Sequence, residues 1–300
     1  MEWIVKRRAP DYRYMQSAFA ALRAKYPIAH GTVCGRSLCS RAIYAFTIGE
    51  GDGPAVYTAG YHGQEWLTTL ILLRFLEELC YALTNRKELA GVPVAPALEG
   101  RSAVFLPCVN PDGVEIALHG PRSAGEYQPL VERAMRESTE KWNANARGVD
   151  INHNFDAGWE IARRMEREMG ITGPAPRRFG GERPESEPET AAVTGVCRQT
   201  DAHSLLCLHS QGEEIYWQYG DRTPKRAPMM ARILAASSGY RLAEPSRISS
   251  HGGAKDWFIA ERNRPGFTIE IGRGVNPLPL ESFEANYLRI REMLMLFLLM

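Results

Sequence analysis

The chain has 300 residues, of which 44% are hydrophobic and 24% are charged, and 36 lysines and arginines nearly balance 35 aspartates and glutamates. This composition is typical of a folded globular protein and excludes a wholly disordered one, because it supplies enough apolar material for a core. The net charge of +1 comes from scattered basic residues, so nucleic acid is not expected as a partner. No apolar run approaches the roughly 20 residues that cross a bilayer, so no membrane partner is expected either.

The N-terminal residues are polar and basic and lack the apolar stretch of a secretion signal, which predicts a cytoplasmic location if the chain is complete. The six cysteines are too few for a disulfide framework, and four of them lie in apolar segments. We therefore expect reduced thiols. Cys34 and Cys39 form the only close pair, and no second pair completes a structural zinc site.

The first third of the chain predicts a helix, three strands, a long helix and a buried strand. In order, these segments are 11–25, 32–35, 42–48, 55–59, 65–83 and 103–109. A glycine-rich turn between the second and third strands predicts an antiparallel start to the sheet. The strand, helix and strand that follow form a βαβ unit, so the sheet should be mixed, with helices on its faces.

The second half is less regular. Segment 120–145 is charged and predicts a helix plus a loop, whereas 172–190 is rich in proline, glycine and charge. We expect an ordered surface loop there, because Ser186–Glu189 has the pattern of a capping box for a helix that reaches Gln199. The remaining predicted elements are a strand at 204–208, a helix at 224–238, a strand at 266–271 and a helix at 281–299. No shift in composition marks a boundary, so residues 1–300 are predicted to form one α/β domain.

The first strong chemical signal is His62-Gly-Gln-Glu65, where a strand passes into the long helix. An imidazole and a carboxylate three residues apart at a strand end can point to one metal ion. A catalytic zinc site needs a third protein ligand, and His209 at the end of strand 204–208 is the best-placed candidate. The alternative is a structural one, since His and Glu also cap helix N-termini.

The second signal is Glu270, which lies in the apolar strand Phe267–Ile271. Burying a carboxylate there is costly unless it has a partner or a function. Beside a metal site it would act as general base and then as general acid. The alternative is a solvated glutamate on an edge strand. His30, His119 and His203 are predicted to be solvated, and His251 is predicted to lie in a loop, with a place lining the site as the alternative.

Five motifs together resemble the zinc carboxypeptidase superfamily. They are His62-x-x-Glu65, Asn110-Pro-Asp-Gly113, Arg147-Gly-Val-Asp-Ile-Asn152, His209-Ser-Gln-Gly212 and Thr268-Ile-Glu270, in the family's order. The resemblance implies a zinc carboxypeptidase-like fold and one Zn²⁺ per chain on His62, Glu65 and His209. It also implies that Glu270 is the general base, that Arg147 polarises the oxyanion, and that Asn152 binds a substrate carboxylate.

The departures from the family pattern concern specificity. His153 stands where the family usually has an arginine, so the bidentate carboxylate clamp is incomplete and strict carboxypeptidase specificity is in doubt. The loop 248–257 resembles the family's substrate-covering loop, with Ile248 in place of the usual tyrosine. Lys255 stands at the position that lines the side-chain pocket, which favours a carboxylate-bearing side chain.

Segments 180–190 and 209–217 narrow the resemblance to bacterial γ-D-glutamyl-meso-diaminopimelate peptidases. That branch implies a muropeptide or small peptide substrate, with Lys255, and Arg273 nearby, holding the second carboxylate of diaminopimelate. We also count Gln211 and His153 among the expected substrate-binding residues. The alternatives are a conventional metallocarboxypeptidase, an N-acyl amino acid deacylase, and a non-catalytic muropeptide-binding protein.

Overall fold

A computed structural model describes residues 2–244 and 251–300 of the chain. Its centre is a mixed sheet of eight strands in the order β1-β2-β6-β3-β7-β10-β8-β9, and a separate two-stranded ribbon is formed by β4 and β5. The strands are β1 His30–Arg36, β2 Ala42–Gly49, β3 Ala55–Thr58, β4 Glu88–Leu89, β5 Val92–Pro93, β6 Ser102–Leu106, β7 Ser204–Ser210, β8 Glu214–Tyr216, β9 Arg241–Ala243 and β10 Gly266–Ile271.

Helices cover both faces of this sheet. They are α1 Tyr12–Lys25, α2 Leu67–Thr84, α3 Val94–Ala97, α4 Pro111–His119, α5 Gln128–Glu137, α6 Trp159–Glu168, α7 Pro188–Gln199, α8 Ala227–Ser238, α9 Ala254–Arg262 and α10 Phe283–Leu299. Residues of α1, α2, α8 and α10 form one core with one face of the sheet, and residues of α7 and α9 form a second core with the other. The fold is therefore a three-layer α/β sandwich.

Alternation along the central strands explains the two cores. In β3, Tyr57 packs into the core with α2 and α10, and its neighbour Val56 packs into the core with α7 and α9. Successive side chains of a strand point to opposite faces, and a strand that is buried on both faces is apolar throughout. All four residues of β3 are buried accordingly.

The predicted βαβ unit is confirmed, because β3 and β6 are parallel neighbours joined through α2. An antiparallel start is confirmed for β1 and β2 only. The expected pairing of β2 with β3 is wrong, because β6 lies between them and is antiparallel to β2. The turn at 49–54 therefore connects strands that are not neighbours.

Four helices, α3, α4, α6 and α9, were missed by sequence reading, and one capping motif is wrong. Helix α4 starts within the Asn110–Gly113 motif; the Oδ1 of Asn110 accepts the N–H of Gly113 at 2.8 Å, and Pro111 occupies the first helical position. Helix α6, at 159–168, carried no recognised signal. Ser186 is not a helix cap, because the cap residue of α7 is Glu187 and it makes no side-chain capping bond.

The cysteine and membrane expectations can be compared with the same structure. All six cysteines are free thiols, and four of them are buried. Among the described residues, no helix is both long and apolar enough to cross a membrane.

Candidate active site

The three predicted metal ligands lie at the carboxyl ends of neighbouring parallel strands. β3, β7 and β10 are adjacent and parallel, so their carboxyl ends meet at one edge of the sheet, where α/β proteins bind ligands. His62 and Glu65 follow β3, and His209 lies near the end of β7. The order of strands in the sheet thus brings together residues that are far apart in sequence.

The segment that carries His62 and Glu65 is tightly packed. Glu65 ends a short 3₁₀ turn, Gly63–Glu65, that leads into α2. A Cβ atom on Gly63 would lie 2.2 Å from the carbonyl oxygen of Gly113, so only glycine fits between His62 and the start of α4. His62 makes no side-chain capping bond, which excludes the structural alternative for this motif.

Glu65 lies between the two imidazoles. Its Oε1 is 2.8 Å from Nδ1 of His62, and its Oε2 is 3.1 Å from Nδ1 of His209. One ligand atom from each of the three residues lies within 4.8 Å of the others. Two imidazole nitrogens and a carboxylate oxygen are ligands that zinc prefers, and three protein ligands leave a position open for water or substrate. The donor set therefore fits a catalytic zinc ion.

Asp150 orients His62 from behind. Its Oδ1 is 3.1 Å from Nε2 of His62, and it also accepts the backbone N–H of Asn152 at 3.2 Å. Such a carboxylate fixes the tautomer of a metal-binding histidine and the direction of its ring. Asp150 is inside the Arg147–Asn152 motif, but the sequence alone did not reveal its role. Its position two residues before Asn152 was the available signal.

The titratable groups of this cluster influence one another strongly. Burial opposes the charge of His62, but Glu65 and Asp150 outweigh it and raise the pKa of the imidazole well above its usual value. Burial would raise the pKa of Glu65, yet His62 and His209 lower it to about 2. Burial lowers the pKa of His209. Glu65 is thus a carboxylate, as a metal ligand must be.

Glu270 lies beside this cluster. In the parallel pair of β7 and β10 it is the register partner of His209, and its side chain lines the same cleft. β10 is flanked by β7 and β8, so the edge-strand alternative is wrong. Burial, followed by the negative charge of Glu65, raises the pKa of Glu270 well above that of a free glutamate. A carboxyl with a raised pKa suits proton transfer near neutral pH.

His62, Glu65 and Glu270 share a cleft of about 760 Å³ with the four predicted substrate-binding residues Asn152, His153, Gln211 and Lys255. The Oδ1 of Asn152 accepts the N–H of Ala254 at 3.0 Å. Nδ1 of His153 lies 3.2 Å from Glu166, which is fully buried and also pairs with Arg163. His153 is therefore held in one orientation at the cleft wall.

Lys255 is paired inside the cleft. Only 4% of Lys255 and 2% of Asp256 is exposed, and the two side chains form an ion pair. The Nζ of Lys255 also donates to the carbonyl oxygen of Gln218 at 2.7 Å. Sequence reading found the lysine but missed the carboxylate next to it, so the cleft presents both charges.

Arg147 and Arg273 are not among the residues that line the cleft. The Nη2 of Arg147 donates to both carboxylate oxygens of Glu187, at 2.9 Å each. This ion pair engages one nitrogen of the guanidinium, and the oxyanion role of Arg147 stays a prediction. Arg273 is 79% exposed and pairs with Glu213 at 2.8 Å. The substitution at Ile248 lies outside the described residues.

A three-layer α/β fold with a His-Glu-His cluster and a carboxylate beside it is that of a zinc-dependent hydrolase. The sequence model of the zinc carboxypeptidase family matches residues 15–285, and the chain belongs to this family of metallopeptidases. It is 34% identical over 279 residues to a γ-D-glutamyl-L-diamino acid endopeptidase of Lysinibacillus sphaericus, covering 92% of this chain and 69% of that protein.

Solved structures agree on the fold. Bovine thrombin-activatable fibrinolysis inhibitor, in complex with tick carboxypeptidase inhibitor, superimposes with a TM-score of 0.73 at 18% identity, covering 98% of this chain and 96% of that one. The murein-tripeptide amidase of Escherichia coli O157 gives a TM-score of 0.53 at 21% identity, covering 88% and 91%. The carboxypeptidase-like fold expected from the motifs is confirmed.

Proposed function

We propose that this protein hydrolyses the γ-D-glutamyl-meso-diaminopimelate amide bond of peptidoglycan-derived peptides, in their degradation or recycling. The observation that carries the proposal is the buried Lys255–Asp256 pair in the cleft of the metal ligands. Support also comes from the L. sphaericus relative, whose name describes cleavage between γ-D-glutamate and a diamino acid.

The distal end of meso-diaminopimelate carries both an ammonium and a carboxylate. Lys255 would bind that carboxylate, and Asp256 would accept a hydrogen bond from the ammonium. A buried ion pair is costly to desolvate, so one that lines a cleft gains most from a ligand that complements both charges. A simple acidic or basic side chain matches only one of the two groups.

His62, Glu65 and His209 would hold the zinc ion, which when bound supplies Lewis-acid activation of a water and of the scissile carbonyl. Glu270 would take the proton from the attacking water and deliver it to the leaving amine. Asp150 keeps His62 in the orientation that presents Nδ1 to the metal. Asn152 and His153 would bind the α-carboxylate of the leaving amino acid.

The direct test is mass spectrometry of products from L-Ala-γ-D-Glu-meso-diaminopimelate, with a plain C-terminal peptide and an N-acyl amino acid as comparison substrates. We expect free diaminopimelate to appear, to stop with a chelator, and to return with added zinc. Faster cleavage of the plain peptide would favour a conventional carboxypeptidase, and faster cleavage of the acylated amino acid would favour a deacylase. Ligand binding without hydrolysis by the zinc-loaded protein would favour a binding protein.

Replacing Lys255 by alanine tests the recognition. We expect kcat/KM on the diaminopimelate peptide to fall roughly 10–100-fold, because a hydrogen-bonded charge in a buried site is lost. The peptide that carries L-lysine instead should lose much less, since it has no second carboxylate. An unchanged preference for diaminopimelate over lysine in Lys255→Ala would contradict the role of this residue.

A further inference from the structure

A second group of charges lines the cleft, away from the Lys255–Asp256 pair. It is formed by Glu140, Lys141, Arg177 and Arg178, all of which contribute to the cleft wall. The Nη1 of Arg177 lies 3.0 Å from Oε2 of Glu140, and the Nη1 of Arg178 lies 4.0 Å from its Oε1. One carboxylate thus faces two guanidinium groups, and these four side chains carry a surplus of two positive charges.

The position of Arg178 is tied to the metal ligands. Its backbone N–H donates to Oδ2 of Asp150 at 2.7 Å, while Oδ1 of the same carboxylate contacts His62. Arg178 has a φ of +68°, a left-handed conformation that is uncommon for a residue with a side chain. The bond to Asp150 contributes to holding this backbone, so Arg178 is fixed two hydrogen bonds away from the predicted zinc site.

These arginines have donors to spare. An arginine carries five N–H donors. Within residues 2–244 and 251–300, the guanidinium of Arg178 donates no hydrogen bond, and the Nε of Arg177 is buried without a partner. Each side chain is about one-third exposed, at 35% for Arg177 and 33% for Arg178. The partly exposed guanidinium of Arg178 therefore offers unsatisfied donors to a ligand in the cleft, and both arginines offer positive charge.

The proposed function assigns no protein contact to the acyl residue of the substrate, and this wall is available to bind it. Asn152, His153, Lys255 and Asp256 are assigned to the leaving diamino acid, so the other charged wall is free for the acyl residue. In a γ-linked glutamyl residue the α-carboxylate is free, because it takes no part in the amide bond. It is attached to the third carbon from the scissile carbonyl. An α-linked residue carries a charge there only when its side chain supplies one, as in an α-linked glutamate, because its own α-carboxyl is the scissile group.

We propose that Arg177 and Arg178 bind the free α-carboxylate of the γ-linked acyl residue and so select γ-glutamyl substrates over those whose acyl residue carries no carboxylate at that position. This inference rests on the proposed function and adds the recognition of the other side of the scissile bond. It makes the enzyme sensitive to the chemical state of that carboxylate. Amidation of the α-carboxyl, which turns the D-glutamyl residue into D-isoglutaminyl, removes the charge without changing the bond that is cut.

The test compares the zinc-loaded wild type on two peptides, L-Ala-γ-D-Glu-meso-diaminopimelate and the same peptide with an α-carboxamide on the glutamyl residue. We expect kcat/KM for the acid to exceed that for the amide roughly 10–100-fold, the range for a charged, bidentate contact. In Arg178→Gln, and more fully in Arg177→Gln/Arg178→Gln, the ratio should fall toward one. The rate on the amide should remain within a few-fold, which also reports that the variant is folded.

Arg167→Gln is the matched control, because Arg167 is an exposed arginine on α6 that is not among the residues lining the cleft. It should keep the wild-type ratio. Equal hydrolysis of acid and amide by the wild type would overturn this inference while the proposed function stands. Hydrolysis of neither peptide by an enzyme that cleaves a plain C-terminal peptide would overturn the proposed function, and this inference with it.

Discussion

Glu65 contacts both histidines of the cluster, and this shared carboxylate defines the chemistry of the site. Its low pKa and the raised pKa of Glu270 place two carboxyl groups with opposite pKa shifts in one cluster, which suits the different roles proposed for them. The environment separates the two roles, since Glu65 is compensated by two imidazoles and Glu270 is opposed by burial and by the charge of Glu65. A bound cation adds a further positive charge that favours the ionised form of Glu270.

Glu270→Gln tests whether Glu270 transfers the proton while Glu65 binds the metal. The amide is close in shape to the carboxyl but cannot take a proton, so hydrolysis should fall by about 10²–10⁴-fold. Zinc content, measured by elemental analysis, should stay at one per chain because Glu270 is not a ligand. His209→Ala is the comparison, and it should lose both zinc and activity. Near-normal turnover in Glu270→Gln would show that another group transfers the proton.

Sequence reading identified those residues that stand at strand ends within short motifs. His62 and Glu65 are three residues apart, so their convergence is a local property that a spacing rule can detect. Arg177 and Arg178 lie on an irregular segment that is held at the cleft by long-range contacts, among them those with Asp150 and Glu140. Nothing in their neighbours in sequence indicated that placement.

At the scale of elements, the segment 143–150 connects the cleft to α7. The Nδ2 of Asn145 donates to Glu187 at 2.7 Å and to Glu189 at 3.2 Å, and Arg147 pairs with Glu187. The motif puts Arg147 three residues before Asp150, which contacts His62. The direction of its side chain was decided by Glu187, forty residues later, and a long-range partner of this kind is not encoded in the local sequence.

Arg147→Gln separates a structural role from an oxyanion role. We expect a loss of about 1–3 kcal/mol in the free energy of unfolding, because Glu187 is only 1% exposed and would lose its cationic partner. kcat should stay within about three-fold, whereas loss of an oxyanion donor costs about 10²–10³-fold. Urea unfolding and steady-state kinetics on one preparation measure both. Glu187→Gln should give a similar loss of stability, and a large fall in kcat with unchanged stability would support the oxyanion role.

For the whole molecule, the sequence predicted the single α/β sandwich but not the full order of its strands. The βαβ unit followed from periodicity and from the handedness of such connections. The insertion of β6 between β2 and β3 depends on which strands are buried on both faces. Because pairing across that distance is a property of the assembled core, a turn signal at 49–54 could not reveal it.

The stability of the molecule should depend on pH through Glu189. Burial, followed by the charge of Asp112, raises its pKa to about 8, so the folded state keeps a proton that the unfolded state releases above about pH 4.5. The contribution of Glu189 to the free energy of unfolding is therefore complete below pH 4.5. It is lost as the pH rises toward 8, by at most about 1.4 kcal/mol per pH unit. Glu189→Gln cannot release a proton, so its stability relative to wild type should increase from pH 5 to 8. If the curves of unfolding free energy against pH run parallel for the wild type and Glu189→Gln, this expectation is contradicted.

The strand order has a consequence for how this architecture can diversify. The groups assigned to chemistry sit at the ends of β3 and β7 and on β10, in the middle of the sheet, where a substitution disturbs both cores. The groups assigned to substrate choice sit on the N-terminal turn of α9 and on the segment around residues 177–178, outside those strands. Selection can therefore change the preferred peptide through a few substitutions outside the central strands and leave the hydrolytic apparatus intact.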